Sequence, residues 1–171
     1  MTTLIELVQP LKEQCVAIIA QLPAATREST KLTVVLHATD SQQIVRVAID
    51  GASVTVTESD GPANIRLTAP VALFATMLQQ GSMRFVTEPI VRGKLHNLHQ
   101  LQGALCLNLS DGGEVRVNFN DATQPEAVIK MTQADAVGLL AGTLNPQMAV
   151  MMGRMQIVSG LSFLMSLDRI M

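Results

Sequence analysis

Few side chains in this sequence stand at spacings that do chemistry. His96 and His99 are three apart, close enough to share a helix face. No Cys, Asp or Glu stands beside them to complete a metal set, so they read as surface histidines at a strand end. His37 falls in an alternating strand, on its solvent side or half-buried. Cys106 sits mid-strand between Leu105 and Leu107, and Cys15 on an apolar helix stripe, so both pack rather than react. No serine occupies a Gly-x-Ser-x-Gly elbow. Asp111-Gly112-Gly113 precedes a strand, not a helix, so it is a turn and not a phosphate cradle. No carboxylate pair stands out. The sequence thus assigns no catalytic residue, no cofactor and no metal, and the expectation is a protein that is not an enzyme. What recurs is methionine, ten in all. Its flexible thioether fills irregular core gaps or adapts to varied apolar ligands.

The elements that position those methionines lie in 125–171. The pattern predicts a strand over 127–131, a helix over 133–144, a break at Asn145-Pro146, a short helix ending at Gly153, a strand over 154–158, Gly160, and an apolar last helix over 161–171. Thr132 can N-cap the first helix, with Asp135 in its first turn, where a carboxylate suits the dipole. Asn145 can cap the next, with Pro146 at its first position, where a missing N–H costs nothing. Gly153 suits a left-handed C-terminal position. Residues 147–152 carry Met148, Val150, Met151 and Met152, apolar nearly all round. Such a helix is expected to be buried or to line something.

These residues carry a resemblance. Ala141-Gly142-Thr143-Leu144-Asn145-Pro146-Gln147, then Gly153-Arg154-Met155-Gln156-Ile157, then Gly160-Leu161-Ser162-Phe163-Leu164 resembles the sterol carrier protein type-2 family of intracellular nonspecific lipid-transfer proteins. The resemblance implies an α+β fold, a twisted and mainly antiparallel sheet with helices on one face, and an apolar tunnel for a fatty acyl chain, sterol or isoprenoid. In this chain the expected lining is Leu140, Leu144, Met148, Met151, Met152, Phe163, Leu164 and Leu167.

Before that stretch, Thr3 to Glu6 reads as a capping box. Leu4, Val8, Leu11, Cys15, Ile18 and Leu22 follow at alternating spacings of four and three, one helical stripe expected to pack on the protein's own sheet. Pro10 kinks this helix or starts it. Residues 23–30 read as a polar loop. Strands are expected over 32–38, 43–50 and 52–58, the first pair a hairpin and the second joined by the Asp50-Gly51 turn. A strand over 63–67 and a helix over 68–80 follow, with Gly81 past its end. An extended piece over 84–87, an interruption at Pro89, a strand over 91–96 and a short helix to Gln102 complete the first half.

The pattern then recurs. Asp50-Gly51 matches Asp111-Gly112, Val54 to Val56 matches Val115 to Val117, Ile65 to Thr68 matches Ile129 to Thr132, and Arg92 to Leu95 matches Met152 to Met155. The expected organisation is an N-terminal helix and linker (1–30) and two sterol-carrier-like repeats (31–102 and 103–171), packed as one body with a pseudo-twofold relation. The first copy lacks Asn-Pro, and Gln79-Gln80-Gly81 stands in its place, so the second copy is the expected lipid site.

Composition narrows the rest. The chain is 48% hydrophobic and 15% charged, which favours a folded core over disorder. A net charge of −2 and no Trp or Tyr argue against a nucleic-acid partner. The start lacks the basic residues and cleavage site of a signal peptide, and no apolar run reaches the ~18–20 residues of a membrane span. Cys15 and Cys106 fit free thiols in a reducing compartment. The expectation is a cytoplasmic lipid carrier with transient membrane contact. The rival is a non-catalytic interaction module, with the same apolar helices joining a partner or a homodimer.

Overall fold

The computed structural model describes residues 2–79, 83–141 and 143–170. The expected break at Gln80-Gly81, the motif glycine Gly142 and the final Met171 lie outside them. The chain opens with α1 (Leu4–Ala20) and α2 (Ala24–Ser29), the latter where a loop was expected. Strands β1 (Lys31–Ala38), β2 (Ile44–Asp50), β3 (Ser53–Thr57) and β4 (Ile65–Ala69) lead to α3 (Val71–Gln79), α4 (Arg84–Val91) and α5 (Leu95–Gln100). Strands β5 (Gly103–Leu109), β6 (Glu114–Phe119) and β7 (Glu126–Met131) follow, then α6 (Gln133–Ala141), α7 (Pro146–Met151), β8 (Gln156–Ser159), α8 (Leu161–Ser166) and a 3-10 turn, Leu167–Arg169.

Among the described residues the strands form one sheet in the order β3-β2-β1-β4-β6-β5-β7-β8. Pairing is antiparallel except β1 with β4 and β5 with β7. This is the α+β, mainly antiparallel architecture that the family resemblance implies. Side chains alternate along each strand. Leu32, Val34 and Leu36 of β1 and Val45, Val47 and Ile49 of β2 face the buried side, where α1, α3, α4, α6 and α8 pack. Arg46, Arg66 and Arg116 alternate to the other side.

The stripe on α1 buries Leu4, Val8, Leu11, Cys15 and Ile19 against α3, α4, β2 and β3. Its capping box forms, with the Glu6 carboxylate accepting from Thr3 N–H at 2.8 Å. Pro10 sits inside the helix without ending it.

Residues 84–96 depart from the expected extended piece and strand. They form α4, a turn and the start of α5. The cause is a stripe that Pro89 hides. Phe85, Val86, Pro89 and Ile90 are buried at helical spacing, while Arg84, Glu88 and Arg92 sit four apart on the outer face. The Glu88 carboxylate accepts from Arg84 and Arg92, each at 2.7 Å.

Across the two halves the pairing pattern recurs in another register than the sequence overlay suggests. That overlay set β2 against β5 and β3 against β6. In the sheet, β1 has an antiparallel hairpin partner, β2, and a parallel partner, β4, as β5 has β6 and β7. The ties repeat too. Thr39 N–H donates to Ala69 O at 3.0 Å, and Ser110 N–H to Met131 O at 2.8 Å. Asp40 Oδ1 accepts from Val71 N–H at 3.0 Å at the start of α3, and Asp111 Oδ1 from Gln133 N–H at 2.9 Å at the start of α6. Strand sense is the same in both sets. The pattern therefore steps along the sheet, and a twofold axis through it would reverse it.

Candidate functional site

The stretch from α6 to α8 is built as its sequence dictates. Thr132 Oγ1 accepts from Asp135 N–H at 3.2 Å and caps α6. Asn145 Oδ1 accepts from Met148 N–H at 3.1 Å and caps α7, with Pro146 in its first turn. Gly153 (φ 71°) and Gly160 (φ 80°) take the left-handed conformation that turns the chain into and out of β8. One contact has no local signal in the sequence. The Arg154 guanidinium pairs with Asp135, which is buried on α6, and so fastens the chain leaving α7 to α6.

The eight expected lining residues divide into three sets. Leu140 and Phe163 are buried among the core side chains. Phe163 packs on Phe119 with ring centroids 6.2 Å apart. It also covers Gly103, where any side chain would collide with its ring. Leu144, Leu164 and Leu167 are half-buried against the same core. Met148, Met151 and Met152 point outward, with 53%, 82% and 64% of their surface exposed. Helix α7 was expected to be buried or to line something, yet its one buried residue is Ala149. Spacings of three and four set its methionines on one outward stripe. Leu161 and Met165 make a second exposed pair on α8.

Two cavities open elsewhere, and none of the eight residues is among those that line them. One, of about 450 Å³, lies between α3 and α6 against Thr76, Asp111, Gln133, Ala134 and Val137. The other, of about 370 Å³, is bounded by Thr33, Arg46, Pro62, Ala63, Asn64, Asn120 and Asp121.

The groups considered for chemistry are dispersed. His96 Nε2 bonds Gln100 and His99 Nδ1 bonds Asn64, each at 3.2 Å, so the two rings serve separate contacts. Among the described residues no group of three or more His, Cys, Asp or Glu could hold a metal ion. Burial pushes the Cys15 thiol up to about 11. Burial, with the charge of Glu114 next, pushes Cys106 up to about 11 as well. Neither thiol is activated at neutral pH. Among the described residues no helix is long and apolar enough to cross a membrane.

The family model described as the SCP-2 sterol transfer family matches residues 82–171, just over half of the chain. The chain belongs to the SCP-2 sterol transfer family. The match takes in α4 to α8 and β5 to β8, hence all the expected lining residues. Residues 31–81, with β1 to β4, lie outside it. Among curated proteins no relative matches the chain. Domains of this family are generally lipid carriers, and membership points to lipid binding or transfer.

Proposed function

We propose that this protein is a lipid carrier that holds one fatty acyl, sterol or isoprenoid molecule between α7 and the surface of α6 and α8. The observation that carries this reading is the outward methionine stripe of α7, inside the stretch that matches the sterol-transfer family. Exposed thioethers at helical spacing give an adaptable apolar surface. The ligand's tail enters where α7 lifts from α6. The opening is cheap because α7 buries little beyond Ala149 and is fastened largely by the Arg154–Asp135 pair. Leu140, Leu144, Phe163, Leu164 and Leu167 then line the opened space. At about 25 cal/mol per Å², a tail that loses a few hundred Å² of exposed surface gains several kcal/mol before entropy is subtracted.

The recurring strand pairing and the paired Asp40 and Asp111 ties support an internal duplication, with the second half as the lipid-binding copy. The cysteines, both buried and free, suit a reducing cytoplasm.

The test is solvent extraction of the purified protein followed by mass spectrometry, beside native mass measurement. The expected result is a stoichiometric fatty acid, phospholipid or isoprenoid that a Met151→Gln variant lacks. An empty protein that runs as a dimer overturns the reading in favour of the interaction module, with the same methionines as its interface.

A further inference from the structure

The cavity bounded by β1, β2, the 58–64 loop and the turn after β6 is far better organised than a surface hollow requires. Asn64 N–H donates to Thr33 O at 2.9 Å, and Asn64 O accepts from Asn120 N–H at 2.8 Å. Its side-chain carbonyl accepts from Thr33 N–H and its amide donates to Asn120 Oδ1, each at 2.9 Å. The Asn120 amide is spent on the Leu98 and Leu101 carbonyls, at 2.9 and 2.6 Å. Asn120 and Asp121 both hold left-handed backbone, φ 52° and 56°. Two consecutive residues in that region need the surrounding bonds to keep them there.

The carboxylates of this frame are spoken for. Asp121 accepts from Ala63 N–H at 2.9 Å and from Arg66 Nε at 2.8 Å. Asp60 accepts from Arg66 Nη1 at 2.8 Å and from Gly61 N–H at 2.7 Å. Arg66 spends its remaining prong on Gly61 O at 2.7 Å. Against this saturation one cation stands out. Arg46 lines the cavity with no hydrogen-bond partner among the described residues, and its Nε is buried from solvent. Gly61 (φ 150°) makes room for it, since a Cβ there would lie 2.9 Å from Arg46 Nη1. Thr33, on the neighbouring strand, brings an uncommitted hydroxyl to the same space.

A buried guanidinium N–H without an acceptor is costly, and such groups in folded proteins nearly always have one. The guanidinium fork matches the two oxygens of a carboxylate. The charged residues that line the cavity are Arg46 and Asp121, and Asp121 is already engaged by Arg66. A single cation without a partner matches one negative charge on the ligand rather than two. We infer that this cavity is a binding site for a small monocarboxylate, held two-pronged by Arg46 with the Thr33 hydroxyl as a further donor. The site is built by the first half of the chain and the turn after β6, apart from α7, and it does not depend on the lipid reading.

Titration of the intact protein with acetate, read on the arginine side-chain Nε–H signals in NMR, tests it. The Arg46 signal is the one missing from an Arg46→Lys variant, which keeps the charge and loses the fork. The expected result is a saturable shift of that signal with sodium acetate and none with sodium chloride at equal ionic strength. Arg46→Lys, with its fold checked by circular dichroism, should bind acetate at least about tenfold more weakly, read on the Thr33 and Ala63 amide signals. Arg116→Gln, which removes a cation already paired with Glu114 and Glu126, should bind as the wild type does. An Arg46 signal that ignores acetate, or moves equally with chloride, overturns the proposal. Inorganic phosphate binding more tightly than acetate would overturn the choice of a singly charged ligand.

Discussion

Replacing Met151 by glutamine separates a ligand contact from a structural one. Met151 is 82% exposed in the free protein, so folding gains little from it. Surface substitutions of this kind change stability by no more than about 0.5 kcal/mol. In a chain of this size that moves the melting temperature by about 2 °C at most. Binding is another matter. Full burial of a methionine side chain contributes about 1.5–3 kcal/mol. About four-fifths of that remains to be gained when a lipid covers Met151, given its 82% exposure, or ~2 kcal/mol. Each 1.4 kcal/mol is about tenfold in affinity, so Met151→Gln should raise the Kd for a fluorescent fatty acid by about 30-fold. Phe163→Ala is the counterpart. Phe163 is 5% exposed, and emptying its place should cost about 3–5 kcal/mol of stability, a fall of about 10 °C. The assay is a fluorescence titration beside a thermal melt for each variant. Binding by Met151→Gln within twofold of wild type would refute the assignment of α7 to the ligand. A large loss of stability in that variant would refute the reading of α7 as an outward stripe.

Other outcomes follow from particular contacts. Arg84 and then Arg92 hold the Glu88 carboxyl below its ordinary 4.5. The stabilisation is therefore full above that value and is lost as pH falls through the depressed folded-state pKa. Glu88→Gln should be less stable than wild type at neutral pH by up to about 1 kcal/mol, and urea melts of the two should converge in acid. A gap that persists in acid would show that the ion pairs do not cause it. Gly103→Ala should lower the melting temperature sharply, because a methyl group there meets the Phe163 ring and Pro125 O, and near-ultraviolet circular dichroism should report the displaced ring. Cys15 and Cys106, raised to about 11, should ignore a thiol reagent in the folded protein and react on unfolding. Rapid labelling of Cys106 in the native protein would contradict its burial.

The period-two alternation in β1 and β2 names both their existence and the face that meets the helices, although Val35 on the opposite face is buried too. Helix punctuation is equally local. Thr3, Thr132 and Asn145 each cap the helix they precede. Helix α4 was missed because Pro89 and the β-branched Val86, Thr87 and Val91 argue against a helix, while burial of Phe85 and Ile90 overrides them. The candidate site was legible in its elements and not in the orientation of its side chains. Leu140 and Met151 are both apolar, and nothing local says that one packs inward and the other meets water. The Arg154–Asp135 pair, which fastens α7, joins residues with no periodic relation. The sequence overlay and the recurring strand pairing fall in different registers, because strand partners are chosen across the sheet.

Strand β4 has consequences on the ribosome. Residues 31–69 supply four neighbouring strands, so that half of the sheet can assemble as soon as it emerges. The outer side of β4 then stays bare until β6 arrives, beginning at residue 114. For that interval the nascent chain carries an open strand edge, the template on which neighbouring chains misassemble. Arg66 is the second residue of that strand, and a charge at an edge is a deterrent to illegitimate pairing. Its first partner, Asp60, is already synthesised, and its second, Asp121, comes with the strand that closes the gap. The arginine that ends as a strut between two carboxylates thus begins as the guard of an unfinished sheet.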